Sequence, residues 1–402
     1  MKIYLVGGAV RDHLLGLPIK DRDYVVVGAN PAEMLALGYR QVGNSFPVFI
    51  HPISGHEYAL ARREKKIASG HTSFAFDFSS DITLEEDLIR RDLTINAIAM
   101  DEASGEIFDP YDGKIDLARQ KLKHISEHFV EDPLRVLRVA RFQAGLPGFT
   151  IDPTTLALMQ NISRSNELKS LSGERIFMEL KKALNSSAPQ NFFQTLRQCH
   201  ALEVIFPEIF NLIDVPQSPK HHPEGCAFTH TMLCLENSAV ETDRDIVRFA
   251  VLTHDFGKAI TPKDILPKHY NHDINGVAIV EQFCNRLKTP FDWKKLATSV
   301  TRYHQICHKV LEQTPQTILT TLKHFNALKN DEMFFNFLSC CRLDTLGKTR
   351  KEYPQEDIWK KLAKNLQTIN YKKLAAENSP DTLAHIIEKT QLQVIKNTIE
   401  KH

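Results

Sequence analysis

The chain has 402 residues, 42% of them hydrophobic, which is enough for two or more domains with buried cores and excludes a disordered chain. Its 50 Lys and Arg against 49 Asp and Glu exclude a global basic field, so any nucleic acid must be bound by local basic patches. The seven cysteines form no Cys-x-x-Cys pair, and neither a signal peptide nor an apolar span of about 18 residues occurs, so we expect a soluble protein of the reducing cytoplasm with no membrane partner.

The first predicted elements are a buried strand at residues 3–6 and a helix at residues 10–15. Gly7 and Gly8 lie between them, at the helix N-terminus, where backbone N–H groups are unpaired. Because glycine has no Cβ, a phosphate can approach these groups closely. Arg11, one turn further along, can add a bidentate contact. The segment therefore favours phosphate binding, although the chain has no P-loop motif.

The second predicted strand covers residues 23–27, and two carboxylates mark its start. Because residues i and i+2 of a strand share a face, we expect Asp21 and Asp23 to project together. Close carboxylates repel each other unless cations neutralise them, and oxygen ligands beside a triphosphate favour Mg²⁺. The pair therefore indicates a two-metal nucleotidyl-transfer site. The alternative is that both are solvated turn residues, the commoner role of an isolated Asp-x-Asp pair.

Further strands are predicted at residues 48–50, 58–61 and 95–100, so the chain up to about residue 120 is an α/β region. Just before the last of these strands, Arg90, Arg91 and Asp92 precede an apolar stretch. A charged helix end explains this pattern as well as a binding site does.

A helix that carries an arginine stripe is predicted within residues 131–142. At 100° per residue its apolar side chains gather on one face, while Asp132, Arg135 and Arg138 lie on the other and Arg141 lies at the edge. Solvated helix faces usually mix Lys and Glu, so arginines without balancing acids favour phosphate or base recognition. Asp132 and Arg135, one turn apart, could present an acceptor and a fork of donors to a nucleobase edge.

Beyond residue 129 the pattern is helical, with breaks near residues 215–219 and 314–315. An adjacent His-Asp pair follows the apolar run 249–253, with one histidine upstream and further histidines and an aspartate downstream. This set resembles the HD phosphohydrolases. The resemblance implies a divalent transition metal, Ni²⁺ or another ion, bound by four residues: His230, His254, Asp255 and Asp344. His272 and His304 would line the site, whereas His308 is interpreted as a structural histidine. An HD fold that has lost its activity is the alternative.

Taken together, the chain resembles the class II tRNA nucleotidyltransferases, the CCA-adding enzymes, in the multifunctional bacterial form with a C-terminal HD domain. Five motifs carry this resemblance, which extends from residue 1 to about residue 330. They are Gly-Gly-x-Val-Arg-Asp with Asp-x-Asp, residues 90–97, the Asp112-Gly113-x-x-Asp116-Leu117 turn, residues 131–142, and Leu171-Ser172-Gly173-Glu174-Arg175-Ile176.

The resemblance implies a role for each matching position. Asp21 and Asp23 would be the catalytic carboxylates that hold Mg²⁺, and Asp132 and Arg135 would read the base edge of CTP or ATP. The remaining residues of the implied nucleotide pocket are Gly8, Arg11, Arg91, Arg138 and Arg141. The helical region from about residue 145 to 215 would grip the acceptor arm of tRNA, and no nucleic-acid template is implied.

Other members of the superfamily are the nearest alternatives. Poly(A) polymerases carry basic residues directly after the glycine that here precedes Asn44. CC-adding enzymes are expected to lack the flexible segment at residues 62–81, which matches the loop that switches CCA-adding enzymes from C to A addition. The chain has no basic residue directly after that glycine and does have the 62–81 segment, and both observations favour CCA addition. A non-catalytic tRNA-binding protein is a further alternative, which the intact carboxylates at 21 and 23 disfavour.

The resemblance also implies a multidomain α+β protein, with a polymerase-beta-like α/β nucleotidyltransferase head followed by an all-α neck, an HD domain and a helical tail. We predict a catalytic head at 1–140, a tRNA-binding neck and body at 141–215, an HD phosphohydrolase domain at 216–330 and a tail at 331–402. We expect a monomer or homodimer. The lysine pairs at 360–361 and 372–373 of the tail favour a solvated helix over an RNA-contacting face.

Overall fold

The computed structural model describes residues 1–19, 21–42, 48–66, 74–77, 79–329, 332–348 and 352–400. They divide into two compact units, one formed by residues 1–179 and 191–205, the other by residues 180–190 and 206–402. The four functional segments predicted from the sequence stay a prediction, because compactness alone does not delimit functional domains.

A seven-stranded mixed sheet organises the first unit, in the strand order β3-β4-β5-β2-β1-β8-β9. Its strands are β1 (Lys2–Val6), β2 (Asp23–Val27), β3 (Arg40–Val42), β4 (Val48–Ile50), β5 (Glu57–Leu60), β8 (Ala99–Met100) and β9 (Ile107–Phe108). β1 and β2 are antiparallel, and their register places Val6 directly opposite Asp23. The end of β1 and the start of β2 therefore share one edge of the sheet.

Two smaller pairs of strands lie outside this sheet. β6 (Arg63–Lys66) pairs with β7 (Phe74–Asp77), and β10 (Lys121–Leu122) pairs with β11 (Thr150–Ile151). The predicted flexible segment 62–81 thus contains an antiparallel strand pair, while residues 67–73 and 78 lie outside the described part of the chain. The predicted strand at 95–100 is wrong for its first half, because residues 94–96 form a 3₁₀ turn and only β8 pairs with β1.

The period-2 pattern of the central strands explains the two faces of the sheet. Tyr4 and Val25 pack on one face, and Val26 packs on the other with Met34 and Phe49. The helices up to residue 205 are α1 (Gly8–Leu14), α2 (Pro31–Ala36), α3 (Leu84–Leu88), α4 (Gly113–Ala118), α5 (Leu134–Gly145), α6 (Pro153–Arg164), α7 (Gly173–Leu184), α8 (Gln190–Gln198) and α9 (Leu202–Ile205).

The described part of the second unit is helical. Its helices are α10 (Pro207–Phe210), α11 (Ala227–Glu241), α12 (Asp245–Thr253), α13 (His272–Leu287), α14 (Phe291–His308), α15 (Pro315–His324), α16 (Glu332–Gly347), α17 (Gln355–Gln367), α18 (Tyr371–Glu377) and α19 (Pro380–Ile399). Helices α11 and α12 pack against α16, and the buried rings of Phe249 on α12, Phe283 on α13 and Trp293 on α14 form an aromatic cluster. Among the described residues, no helix combines the length and the apolar character needed to span a bilayer.

Candidate functional site

The first candidate site surrounds the turn between β1 and α1. Gly7 adopts a φ of 72° just before α1, a conformation that favours glycine, and the helix begins at Gly8 as predicted to within two residues. A Cβ on Gly7 would lie 3.1 Å from Nη1 of Arg91. The turn is therefore tight, and the guanidinium of Arg91 covers it.

Asp21 and Asp23 lie beside this turn. Asp23 is the first residue of β2 and pairs with Val6, whereas Asp21 precedes the strand. Both side chains are exposed, and neither carboxylate makes a hydrogen bond or an ion pair with another described residue. Two carboxylates whose oxygens accept no hydrogen bond from the described residues fit the oxygen-ligand chemistry of Mg²⁺.

Three of the predicted arginines meet at one aromatic ring, that of Phe142 on α5. The guanidinium carbons of Arg11, Arg138 and Arg141 lie 5.3, 5.7 and 4.2 Å from its centroid. Arg11 also donates through Nη1 to Oδ1 of Asn96 at 2.9 Å. The structure therefore brings residues from α1 and α5 together beside the 3₁₀ turn at 94–96.

The expectation that these arginines lack balancing acids is wrong. Arg138 donates to the buried Asp92, with Nε and Nη2 lying 2.7 and 2.6 Å from Oδ2, and Arg141 donates to Glu179 at 2.6 Å. Burial alone would raise the pKa of Asp92, but Arg138 and Asn96 outweigh it and hold that pKa below its usual value. The acids come from other elements, so the helix sequence does not reveal them.

The predicted base-reading pair is also engaged within the protein. Asp132 accepts a hydrogen bond from Arg175 of α7, with Nη2 2.8 Å from Oδ2, and its Oδ1 accepts from the backbone of Leu134 at 3.0 Å. Arg135 is buried rather than on an open face, and its two terminal nitrogens donate to the carbonyl oxygens of His128 and Arg90. The guanidinium plane of Arg135 is thereby fixed by the backbone.

Asp87 anchors the double-arginine motif. It is buried and forms ion pairs with Arg90 and with Arg91, whose Nη2 lies 3.4 Å from Oδ2. Burial opposes ionisation, but the two arginines lower the pKa of this carboxyl. The sequence analysis did not identify Asp87 as the partner of these arginines, and its i, i+4 spacing to Arg91 was the available signal.

The second candidate site is a buried cluster in the second unit, where the predicted set of four residues does come together. His230 lies on α11 with its Nε2 2.9 Å from Oδ1 of Asp344 on α16, and His254 Nε2 lies 3.2 Å from Oδ2 of Asp255, just after α12. All four side chains are at most 4% exposed. The cluster therefore depends on the packing of three helices.

The donor set fits a divalent metal. His230, His254 and Asp255 offer ligand atoms that lie within 4.8 Å of one another. Nε2 of His254 and Oδ1 of Asp255 are buried without a hydrogen-bond partner among the described residues, and buried polar atoms of this kind are costly unless something binds them. Imidazole and carboxylate together suit transition ions such as Ni²⁺ or Zn²⁺ better than Mg²⁺.

Further charged groups surround this cluster. Lys258 Nζ lies 2.6 Å from Oδ2 of Asp255, and Lys348 Nζ lies 2.7 Å from Oδ1 of Asp344. His308, interpreted from the sequence as structural, has its Nε2 2.5 Å from Oδ2 of Asp344. Its i, i+4 spacing from His304 on α14 was the signal that sequence reasoning overlooked.

Glu224 is a residue of this cluster that the sequence analysis did not identify. It follows no regular periodicity, because it lies in the loop before α11. Its Oε1 lies 2.8 Å from Nδ1 of both His222 and His230. Burial opposes ionisation, but these hydrogen bonds lower the pKa of Glu224 to about 2. The ionised carboxylate fixes the orientation of His230, as outer partners of metal-binding histidines commonly do.

Comparison with protein families matches three parts of the chain. Residues 3–123 match the poly A polymerase head domain, residues 148–213 match a region described as the probable RNA and SrmB-binding site of polymerase A, and residues 220–329 match the HD domain.

Curated relatives match nearly the whole chain. The multifunctional CCA protein of Haemophilus influenzae (strain PittGG) is 48% identical, with 100% of this chain and 96% of the relative covered. That of Hahella chejuensis (strain KCTC 2396) is 46% identical over 98% of this chain and 95% of the relative.

Solved structures share the fold. The CCA-adding enzyme of Bacillus stearothermophilus, solved in complex with CTP, superposes with a TM-score of 0.64 at 23% identity, covering 98% of this chain and 89% of that one. The Thermotoga maritima enzyme complexed with tRNA gives a TM-score of 0.63 at 19% identity, covering 99% and 91%.

Proposed function

The chain belongs to the multifunctional CCA protein family, enzymes with a nucleotidyltransferase head and an HD domain, and we propose that it adds and repairs the 3′-terminal CCA of tRNA from CTP and ATP. The observation that carries this proposal is the register of β1 and β2. It places Asp23 opposite Val6, the residue that precedes the Gly7-Gly8 turn, so the carboxylates proposed to hold metal and the turn proposed to bind phosphate would share one edge of the sheet.

Asp21 and Asp23 would hold Mg²⁺, which when bound supplies Lewis acidity to phosphoryl transfer. The nucleotide would lie against Gly8, whose backbone opens α1. Arg11 and Arg91 flank that turn and would bind the phosphates of the nucleotide. The guanidinium groups of Arg138 and Arg141 lie over the ring of Phe142. The proposed metal-binding and nucleotide-binding roles are both supported by the geometry of residues within the first unit.

Base selection is proposed to use Asp132 and Arg135 without a nucleic-acid template. Because Arg175 donates to the Asp132 carboxylate, a base edge that used the same oxygen would take the place of Arg175. The terminal nitrogens of Arg135 donate to the carbonyl oxygens of His128 and Arg90, so reading a base would require Arg135 to exchange these partners for the base edge. Each good bidentate contact discriminates by roughly 1–3 kcal/mol, or about ten- to hundredfold.

The test is incubation of the full chain with Mg²⁺, labelled CTP or ATP, and tRNA that lacks its terminal CCA. We expect addition to stop after C, C and A, and to be lost in the Asp21→Asn/Asp23→Asn variant. Those side chains are exposed and unengaged by other described residues, so the variant should keep the melting temperature of the wild type. Unlimited A addition would indicate a poly(A) polymerase, arrest after two C residues a CC-adding enzyme, and no addition a tRNA-binding role.

We further propose that the HD cluster is a phosphohydrolase site with phosphatase, 2′-nucleotidase and 2′,3′-cyclic phosphodiesterase activity. His230, His254, Asp255 and Asp344 would hold a divalent transition ion, which when bound polarises a phosphate ester and lowers the pKa of water toward neutrality. Ionised Glu224 orients His230, and Lys258 holds Oδ2 of Asp255. Such an activity would clear phosphates from damaged tRNA ends before CCA addition.

His254→Ala tests this second activity. We expect it to abolish phosphate release from a 2′-nucleotide and a 2′,3′-cyclic nucleotide while CMP incorporation into tRNA stays within twofold of wild type. Loss of both activities would refute two separate sites. The metal is identified by its content in protein purified without chelators, and the expected monomer or homodimer by light scattering.

A further inference from the structure

We propose that Glu102 is a positioning residue of the nucleotidyltransferase site: it holds the guanidinium of Arg22 away from Asp21 and Asp23, so that both carboxylates stay open to Mg²⁺. The inference rests on the metal-binding role proposed for this carboxylate pair. It assigns a function to the ion pair made by the arginine that lies between the two aspartates in sequence.

The Glu102 carboxylate is divided between two residues at the start of β2. Its Oε1 accepts a hydrogen bond from Nη1 of Arg22, and its Oε2 accepts one from the hydroxyl of Tyr24 at 2.7 Å. Because side chains alternate along an extended chain, Arg22 and Tyr24 share a face that is opposite to the face of Asp23. Glu102 reaches this face because it lies two residues after Met100, which is in register with Tyr24 across β1.

The groups that hold the Glu102 carboxylate are themselves fixed by the sheet. Tyr24 is buried, and its ring stacks on that of Tyr58 in β5, with centroids 4.5 Å apart and planes 10° from parallel. The turn that carries Glu102 is closed by Asp101, whose backbone N–H donates to the carbonyl oxygen of Glu106 at 2.9 Å. The carboxylate therefore presents a fixed acceptor to the arginine.

Arg22 and Asp21 lack comparable support from the sheet. Both precede β2, whose pairing with β1 begins at Asp23. The Arg22 side chain is 38% exposed and forms an ion pair with Glu102, whereas neither aspartate forms an ion pair with another described residue. The position of the guanidinium beside the carboxylate pair is therefore set by Glu102.

Without Glu102, the guanidinium of Arg22 would lie beside two carboxylates that no other described residue engages. Adjacent arginine and aspartate side chains do pair in this protein, since Nη2 of Arg11 lies 2.7 Å from Oδ1 of Asp12. An arginine fork on either carboxylate would occupy the oxygens that Mg²⁺ requires. Metal binding would then have to break an ion pair first, so the affinity for the metal would fall.

The experiment measures metal binding directly, by titrating the full chain with Mn²⁺ and following the free ion by electron paramagnetic resonance. The sites that disappear in Asp21→Asn/Asp23→Asn are those of the head. For these sites we expect Glu102→Gln to raise the Kd of Mn²⁺ about two- to fivefold, the factor by which an exposed ion pair competes. Glutamine keeps an acceptor for Tyr24, but its NH₂ group cannot accept from the guanidinium. Glu106→Gln is the matched control, because it removes the same charge from an exposed side chain of the same turn.

A second change separates competition by Arg22 from a loss of local structure. Arg22→Gln/Glu102→Gln has the net charge of the wild type but no competing guanidinium, so its Kd should return to within about twofold of the wild-type value. A purely structural role of Glu102 would not be rescued in this way. In assays of CCA addition, Glu102→Gln should raise the Mg²⁺ concentration needed for half-maximal rate by the same factor as the Kd, while kcat at saturating Mg²⁺ stays within about twofold of wild type.

A Kd in Glu102→Gln equal to that in Glu106→Gln would overturn the proposal, and so would a double variant that binds Mn²⁺ as weakly as Glu102→Gln. These outcomes are separate from the test of the proposed function. If Asp21→Asn/Asp23→Asn keeps every Mn²⁺ site and still adds CCA, the proposed catalytic carboxylates are refuted and the role of Glu102 with them. If that variant loses its sites while Glu102→Gln binds normally, the role of Glu102 alone is refuted.

Discussion

Asp92→Asn is the most discriminating single change in the nucleotidyltransferase head. The carboxylate accepts from Leu93 N and Asn96 Nδ2 through Oδ1, and from two nitrogens of Arg138 through Oδ2. An asparagine can keep the bonds of Oδ1, but its NH₂ group then faces the guanidinium of Arg138. The change therefore replaces one ion pair by two opposed donors while the side-chain volume stays the same.

The free energy of unfolding that Asp92→Asn loses depends on how exposed Asp92 and Arg138 are to solvent. Breaking a buried ion pair typically costs about 3–5 kcal/mol. Because the Arg138 side chain is 35% exposed and can recover some hydration, we reduce this to about 2–3 kcal/mol. For a unit of this size that corresponds to a decrease of about 5–10 °C in melting temperature.

Calorimetry of the wild type and of Asp92→Asn measures the change in melting temperature, and Glu377→Gln is the isosteric control. Glu377 is 57% exposed and lies 3.7 Å from Lys373, so its loss should cost less than about 0.5 kcal/mol. If Arg138 belongs to the nucleotide pocket, KM for CTP and ATP should rise about tenfold in Asp92→Asn. A melting temperature within about 1 °C of wild type would refute the reasoning.

The contribution of the Asp92–Arg138 ion pair to the free energy of unfolding depends on pH, and the lowered pKa of Asp92 sets the sign of that dependence. The pKa of Asp92 is lowered in the folded state, so its contribution to the free energy of unfolding is present above the unfolded pKa of about 4 and is lost as the pH falls through the folded value. The stability difference between wild type and Asp92→Asn should therefore be constant from about pH 6 to 8 and decrease below about pH 4. A difference that grows on acidification would contradict this account.

Three further predictions concern the two sites. Gly257→Ala should lower the metal content of the HD cluster and abolish phosphate release, because the added Cβ would lie 2.0 Å from the carbonyl oxygen of His272. Gly148→Ala is the control: a Cβ there would lie 3.7 Å from its nearest neighbour, so metal content and phosphate release should stay unchanged. Arg175→Gln should raise misincorporation of UTP or GTP about tenfold in single-turnover assays, because Asp132 loses the donor that orients its carboxylate before a base edge replaces that donor, while the exposed Arg119→Gln leaves it unchanged. Removing the metal with a chelator should lower the free energy of unfolding of the second unit by about 2.7 kcal/mol, compared with protein in an ion concentration 100 times the Kd. His254→Asn removes a proposed ligand, so chelation should leave its melting curve unchanged.

Local patterns were sufficient to predict the strand-turn-helix segment at the N-terminus. A short apolar run, two glycines and a second strand that begins at Asp23 can be recognised without knowing what they contact. The first half of the predicted strand at 95–100 was wrong because its apolar residues are buried in a 3₁₀ turn, and burial alone does not distinguish such a turn from a strand.

The partners of the arginines could not be predicted in the same way. Asp92 and Glu179 are 46 and 38 residues from the arginines that they bind, so no helical periodicity connects them. The same holds for the HD cluster, where His254 and Asp255 are adjacent in sequence but His230 and Asp344 lie on two other helices. Sequence reasoning reached His230 and Asp344 through a family resemblance, whereas Glu224 lies in an irregular loop that no pattern marks.

The two sites differ in exposure, and this difference matches the chemistry proposed for each. Asp21 and Asp23 lie exposed and without described partners, which suits Mg²⁺ that arrives with a nucleotide and leaves with the product. The HD carboxylates are buried among lysines and histidines whose interactions keep Asp255 and Asp344 ionised despite burial. Removing any one member of such a cluster leaves a buried charge unbalanced, so its metal is expected to be a lasting part of the folded unit. Activity assays with and without chelation before the addition of Mg²⁺ therefore separate the two chemistries within one polypeptide.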